Sequence, residues 1–401
     1  MEQQIILIQI AVILLAARLF AEIANRFNVP TIIGELLAGV VLGPSLLGWI
    51  EPNEILKLLA ELGIILLLFE VGLETQIDKL VHSGPKAAVV ALSGLILPFL
   101  LGFLSSYWLF DLPMLVSLFI GGTLTATSIG ITVRVLSDLG KHNSPEGQIV
   151  LGAAVIDDLL GIFLLAVIYE FSTSGQVDIS NIASVVFYVS IFFLLTPIFT
   201  RLLTPLIKQI HSKTDIPGLL PTTLVSLVLI FAYLAHLSGA PDLLGGFVAG
   251  IALSRRFFLP LGAFIQADPD FTVDVHQQMK PIIQLFTPIF FVMVGLSLDL
   301  GAVDWGSLFI WVFSLTTLLI AVGGKMIGPL FIKESFRTRI AIGMAMVPRG
   351  EVGLIFAEIG RSAGILDATV YAGMILVIAY TTLAAPIWLK YYYQTTEKLP
   401  D

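Results

Sequence analysis

Apolar residues in this chain gather into long stretches separated by short polar ones. A helix rising ~1.5 Å per residue needs about 20 such residues to cross the ~30 Å hydrocarbon core of a bilayer. Stretches of that order run from Ile5 to Asn25, Thr31 to Ile50, Ile55 to Glu74, Ala87 to Leu109, Met114 to Ser137, Gly147 to Phe171 and Ile182 to Ile207. After the polar segment His211 to Asp215 come Gly218 to Ser238, Pro241 to Ser254, Pro281 to Leu300, Gly306 to Ile332, Thr338 to Gly360 and Ala368 to Leu389. The pattern predicts an all-α polytopic membrane protein with about 13 transmembrane helices. The ninth is short and runs into Arg255-Arg256.

Composition agrees with the pattern. The chain is 57% hydrophobic and only 12% charged, with a mean hydropathy of +0.97, and no extended polar region remains for a soluble domain. A net charge of -8 argues against nucleic acid as a partner, and zero cysteines exclude disulfides and thiolate chemistry. The start, Met1-Glu2-Gln3-Gln4, lacks the basic region of a signal peptide, so the first apolar stretch is expected to be retained as a helix. With the N-terminus outside, the outer loops keep only Lys57 and Arg361, while the inner loops collect Arg26, Lys79, Lys86, Arg134, Lys141, Arg201, Lys208, Lys213, Arg255, Arg256, Lys280, Lys333, Arg337, Arg339, Lys390 and Lys398. That alternation predicts an odd number of spans and a cytoplasmic C-terminus.

The halves of the chain echo each other. Gly34 and Gly39 recur as Gly245 and Gly250, both 211 positions on, and Val71-Gly72-Leu73 recurs as Val294-Gly295-Leu296. Gly130, Asp138 and Gly140 recur as Gly350, Glu358 and Gly360, each 220 positions on. Six helices, one linking helix and six more give halves of opposite topology, an inverted repeat. The expected boundaries are 5–171 for the first repeat, 182–207 for the linker and 218–389 for the second, with no soluble domain.

Against this apolar background a few polar residues stand out. Asp157 and Asp158 occupy the middle of the sixth stretch, where each carboxylate costs roughly 2.5 to 3.5 kcal/mol of insertion free energy and is too short to reach water. The pair either lines a cavity as an ion or proton site, or meets a cation in a purely architectural ion pair. Lys325 lies at nearly the same depth and is the natural partner, although its long stem also allows it to snorkel inward. Adjacent helical residues diverge by about 100°, so one Asp is expected to face Lys325 and the other the cavity. On the 220-residue offset the two acids fall opposite Val377 and Ile378, which leaves one site per chain.

Two further stretches suggest broken helices. The fifth contains Gly121-Gly122-Thr123-Leu124-Thr125-Ala126-Thr127-Ser128-Ile129-Gly130, and the twelfth contains Met346-Val347-Pro348-Arg349-Gly350-Glu351. Both are expected to break near the midplane and cross, where inverted-repeat transporters hold their substrates; close packing of small residues is the competing account for the fifth. Arg349 and Glu351 are expected to form a structural ion pair or network bracing the break. Glu35, Glu70 and Glu74 lie near inner helix ends, Arg18 and Glu22 are one turn apart, and His236 and His276 show no metal-ligand spacing.

Taken in order, Gly34-Glu35-Leu36-Leu37-Ala38-Gly39, Leu42-Gly43-Pro44, Val71-Gly72-Leu73-Glu74, Asp157-Asp158, Lys325 and Pro348-Arg349-Gly350-Glu351 resemble the second monovalent cation:proton antiporter family. The resemblance covers essentially the whole chain and is strongest to bacterial sodium/proton antiporters of the NapA and GerN type. It implies a homodimer in a bacterial inner membrane, with a dimerisation domain and a core domain that carries the ion by an elevator-like movement. It makes Asp158 the principal ligand of cation and proton, Asp157 its neighbour paired with Lys325, and Thr127 and Ser128 oxygen ligands. The metal at Asp158 and Asp157 would be sodium, with lithium a second candidate and no cofactor required. The related glutathione-gated potassium efflux systems usually replace the first acid and add a nucleotide-binding domain; the intact acid pair favours the sodium/proton branch.

An oxygen-lined site of this kind suits a hard alkali cation. A carboxylate neutralised by either a proton or a cation can cross, whereas the empty charged site is held back by desolvation. A potassium/proton exchanger or efflux protein is the nearest alternative. A sodium-coupled organic-acid symporter would need a roomy polar pocket, and a potassium channel would need a TVGYG-like filter, which is absent.

Overall fold

The computed structural model describes residues 2–75, 77–174, 187–192, 194–196, 209, 216–253 and 269–396, and their regular structure is entirely helical. The helices are α1 (Glu2–Arg26), α2 (Thr31–Leu42), α3 (Glu54–Glu74), α4 (Ile77–Leu104), α5 (Met114–Thr125), α6 (Ile129–Asp138) and α7 (Pro145–Ser174), followed by α8 (Leu219–Leu237), α9 (Asp242–Leu253), α10 (Pro269–Leu296), α11 (Leu308–Ile327), α12 (Phe336–Ala345), α13 (Glu351–Ser362) and α14 (Ala368–Thr396).

By length and composition, 8 helical stretches among the described residues can cross a membrane. The expected count of about 13 differs for identifiable reasons. α2 and α9 are only 12 residues each, α3 carries five charged residues within its 21, and the twelfth stretch divides into two short helices. Most of the proposed linker at 182–207, and Arg255-Arg256, lie outside the described residues. Exposed Leu7, Leu15, Leu19 and Leu319 fit a hydrocarbon surround rather than water.

The chain forms two compact units, each drawing on both halves of the sequence. The first takes residues 1–56, 83–177 and 291–401. Here a methyl on Gly39 of α2 would strike the Val292 carbonyl and the backbone of Gly295 in α10, so only glycines permit the approach. The second unit takes residues 57–82 and 178–290. In it Gly250 of α9 meets Gly72 of α3 in the same manner. Contacts also recur at the offset seen in the sequence: Gly34 lies against the Phe20 carbonyl and Gly245 against that of Phe231, so α1 meets α2 as α8 meets α9.

Local chemistry sets where helices start and stop. Pro30 and Pro113 precede α2 and α5, and the Ser335 hydroxyl caps α12 by accepting from the Thr338 N–H at 3.1 Å. Glu22, expected beside Arg18, accepts from Arg26 at 2.9 Å on the exposed face of α1.

The Gly39 crossing yields a paired prediction. Gly39→Ala is expected to destabilise the protein by about 1–3 kcal/mol through overpacking against fixed backbone. Gly323→Ala, at a helical glycine with open space around it, should leave stability unchanged or raise it by up to about 1 kcal/mol. Thermal unfolding of the two purified variants checks both.

Candidate functional site

Both predicted breaks are present and they touch. α5 ends at Thr125 and α6 begins at Ile129, leaving an extended link in which Ala126 has ψ 135° and Ser128 ψ 104°. The sequence produces this locally. Thr125 returns its hydroxyl to the Gly122 carbonyl at 2.7 Å, and the Ser128 hydroxyl accepts from the Ile131 N–H at 3.4 Å as the cap of α6. On the other side Pro348 has no N–H to offer, and the chain is non-helical from Val347 to Gly350.

The two links satisfy each other's backbone. The Ser128 N–H donates to the Pro348 carbonyl at 2.9 Å, the Thr127 hydroxyl to the Met346 carbonyl at 3.2 Å, and the Thr132 hydroxyl to the Ala345 carbonyl at 2.8 Å. Within the first unit the carbonyls freed by one break are therefore taken up by donors from the other. Thr127 spends its proton on this bond, which leaves its oxygen lone pairs available. Gly350 is required here, because a methyl would collide with the Ser128 side chain.

Arg349 sits in the second break with 0% exposure. Its guanidinium donates to the Ala321 carbonyl at 3.2 Å and to the Met346 carbonyl at 3.4 Å. Its own carbonyl accepts from the Thr382 hydroxyl of α14. Glu351 opens α13, but its side chain lies outside the described residues, and so does the proposed pairing with Arg349. The anchors of Arg349 on α11 and α14 could not be read from the sequence.

The acids stand on α7, an uninterrupted helix of 30 residues. Asp157 is 1% exposed and Asp158 2%. The Lys325 ammonium donates to both Asp157 oxygens, at 3.1 and 3.0 Å, and is itself only 1% exposed. Lys325 thus points inward to the acid and does not snorkel. Its stem passes Gly94 of α4, where a methyl would come within 3.1 Å of the Lys325 Cδ. Gly94 borders the lysine stem, a neighbour that sequence reasoning missed because only the lysine's position reveals it. Asp158 also interacts electrostatically with Lys325, and Asp157 with Arg349. Two adjacent acids and two cations are therefore gathered in a dry interior, where charges interact far more strongly than in water.

Comparison with known proteins identifies the family. The chain matches the family described as sodium/hydrogen exchanger, transmembrane, over residues 10–394. It is 32% identical to the high-affinity Na(+)/H(+) antiporter NhaS3 of Synechocystis sp., covering 98% of this chain and 91% of that one. It is 34% identical to the Na(+)/H(+)-K(+) antiporter GerN of Bacillus cereus, covering 97% of each. Its fold is similar to that of the sodium proton antiporter MjNhaP1 from Methanocaldococcus jannaschii, with a TM-score of 0.68 at 18% identity over 99% of this chain and 98% of that one. The chain is a multi-pass membrane protein and belongs to the sodium/hydrogen exchanger family.

Proposed function

We propose that this protein is a secondary transporter that exchanges a monovalent cation, sodium first, for protons at a single site centred on Asp158. The observation that carries the proposal is the buried Lys325–Asp157 ion pair beside Asp158. Carboxylates this deep, next to two broken helices, supply hard oxygen ligands in a place where a net charge is costly. The cation and the proton compete for Asp158, with Thr127 and Ser128 as further oxygen ligands. Either ion neutralises the carboxylate, and the empty site is too poorly solvated to cross, so the two fluxes are coupled.

Several finer features belong to the same proposal. The glycine contacts recurring 211 positions apart support two inverted repeats joined by the segment at 182–207. The loop charges support an outside N-terminus and a cytoplasmic C-terminus. An elevator-like movement, a homodimer, a bacterial inner membrane and acceptance of lithium are part of the same proposal, as the family resemblance implies. Potassium is a second candidate substrate, favoured by the name of GerN, a Na(+)/H(+)-K(+) antiporter 34% identical to this chain.

Proteoliposomes loaded with a pH-sensitive dye test the function directly: an imposed sodium gradient should drive protons the opposite way. Proton movement that ignores sodium, lithium and potassium gradients would refute antiport. In the same assay Asp158→Asn is expected to reduce cation-dependent proton flux to that of empty vesicles, while the variant still inserts and purifies.

Lys325 distinguishes two stoichiometries. A lysine that gives up its proton when the cation reaches the acids makes exchange electrogenic at two protons per cation, whereas one that stays protonated makes it one to one. We assign it the first role. Lys325→Arg should then fail, because guanidinium keeps its proton at any accessible pH. Lys325→Gln should lose transport current on a solid-supported membrane yet keep slow electroneutral exchange. Undiminished current in Lys325→Gln would show that the lysine carries no proton.

Arg349 is assigned to bracing rather than to the ion. Arg349→Ala removes the charged hydrogen bonds to the Met346 and Ala321 carbonyls together with a fully buried side chain, and a hydrogen bond of that kind contributes about 1.5–3 kcal/mol. A large fall in thermal stability with little change in apparent sodium affinity is the expected result. A stable variant with strongly altered affinity would place Arg349 in the ion site.

A further inference from the structure

A second cluster of ligand-bearing side chains lies in the other compact unit. Glu70 and Glu74 stand one turn apart near the end of α3 and share a face. His276, near the start of α10, presents its Nε2 to them, 3.0 Å from Glu74 Oε1 and 3.6 Å from Glu70 Oε1. One donor atom from each residue lies within 4.8 Å of the other two. The side chains are 20%, 31% and 32% exposed for Glu70, Glu74 and His276, so an ion can reach them from solution. Farther along the same two helices, Gly63 of α3 packs against the Phe286 carbonyl of α10, which leaves little freedom in their spacing.

From this geometry we infer that Glu70, Glu74 and His276 form a three-ligand site for a divalent first-row transition metal, with zinc the best match. The donor set decides the class. Imidazole nitrogen with two carboxylates suits zinc and its neighbours, whereas magnesium and calcium favour all-oxygen sets. Bonds of ~2.0–2.2 Å in a tetrahedral arrangement place donor atoms about 3.4 Å apart. The observed 3.0 and 3.6 Å bracket that value, so the ion fits with small side-chain rotations. Two carboxylates balance its charge and water takes the fourth position. The bound ion ties α3 to α10. The inference does not depend on the antiport mechanism, because its three residues lie outside the ion site proposed there.

Calorimetric titration of zinc into the tag-free, full-length protein in detergent tests the site, with thermal unfolding as a second readout. One zinc per chain is expected, unaffected by millimolar magnesium, together with a higher unfolding temperature. His276→Ala and Glu74→Gln should each weaken binding at least tenfold, while His236→Ala, at an exposed histidine paired with Asp242, should not. His276→Cys guards against misfolding of the alanine variant: it restores a metal ligand, and loading with cobalt(II) should produce a thiolate-to-cobalt absorption band. Absence of saturable binding, equal affinity in wild type and His276→Ala, or a cobalt-loaded His276→Cys protein without that band would each overturn the site.

Discussion

Burying a carboxylate in a hydrocarbon-facing protein is unfavourable enough to constrain everything around it. Asp157 is tolerable in the middle of α7 because the Lys325 ammonium binds both of its oxygens, and the lysine in turn is tolerable because it has that acid. Either one alone would be an uncompensated buried charge. The pair draws on its surroundings: Gly94 gives the lysine stem room, since a methyl there would come within 3.1 Å of Lys325 Cδ. An ion pair of this kind contributes little net stability, since desolvation offsets most of the attraction. Its value is functional, because it leaves a second acid, Asp158, adjacent and equally buried. A cation arriving at the acids competes with the ammonium for the same negative charge, which links ion binding to the lysine by electrostatics alone.

The crossed links obey a parallel rule for the backbone. A helix interrupted inside a membrane protein exposes N–H and C=O groups that lipid cannot satisfy, so each must find a protein partner. Here each interruption supplies partners for the other, through Ser128 to Pro348 and Thr127 to Met346. Arg349 closes the account for Met346 and Ala321. The two breaks are thus mutually dependent, which explains why the sequence pairs a Thr/Ser-rich break with a proline-containing one. The Thr and Ser hydroxyls donate and cap, and the proline side offers carbonyls.

Much of this was legible in the sequence because membranes impose simple rules. The depth of Asp157 and Lys325 followed from counting residues to the nearest polar ends, and both breaks followed from runs of small residues, hydroxyls and proline. The end of α2 was less visible, since the apolar residues Leu46, Leu47, Trp49 and Ile50 follow its stop at Leu42. Contacts over long separations left no signal at all. Glu74 and His276 are 202 positions apart, and no spacing rule joins a glutamate near the end of one helix to a histidine near the start of another. Gly94 was similarly silent, because a glycine in a membrane helix is ordinary until the side chain crossing it is known.

The repeated glycines show how one sequence can carry both likeness and difference. Gly39 and Gly250 correspond in the two halves, as do Gly295 and Gly72, yet the contacts run across halves: Gly39 meets Gly295, and Gly250 meets Gly72. Each close approach therefore joins an element of one half to the non-equivalent element of the other, and each falls within a single compact unit. Glycine-to-backbone packing of this kind is stiff, because no side chain can rotate to relieve it. The chemistry does not follow the symmetry. Asp157 and Asp158 have only Val377 and Ile378 at the 220-residue offset, while Lys325 comes from the half that lacks them. Duplicated packing supplies the frame, and the charged residues that break the likeness confine the acid pair to one place in the chain.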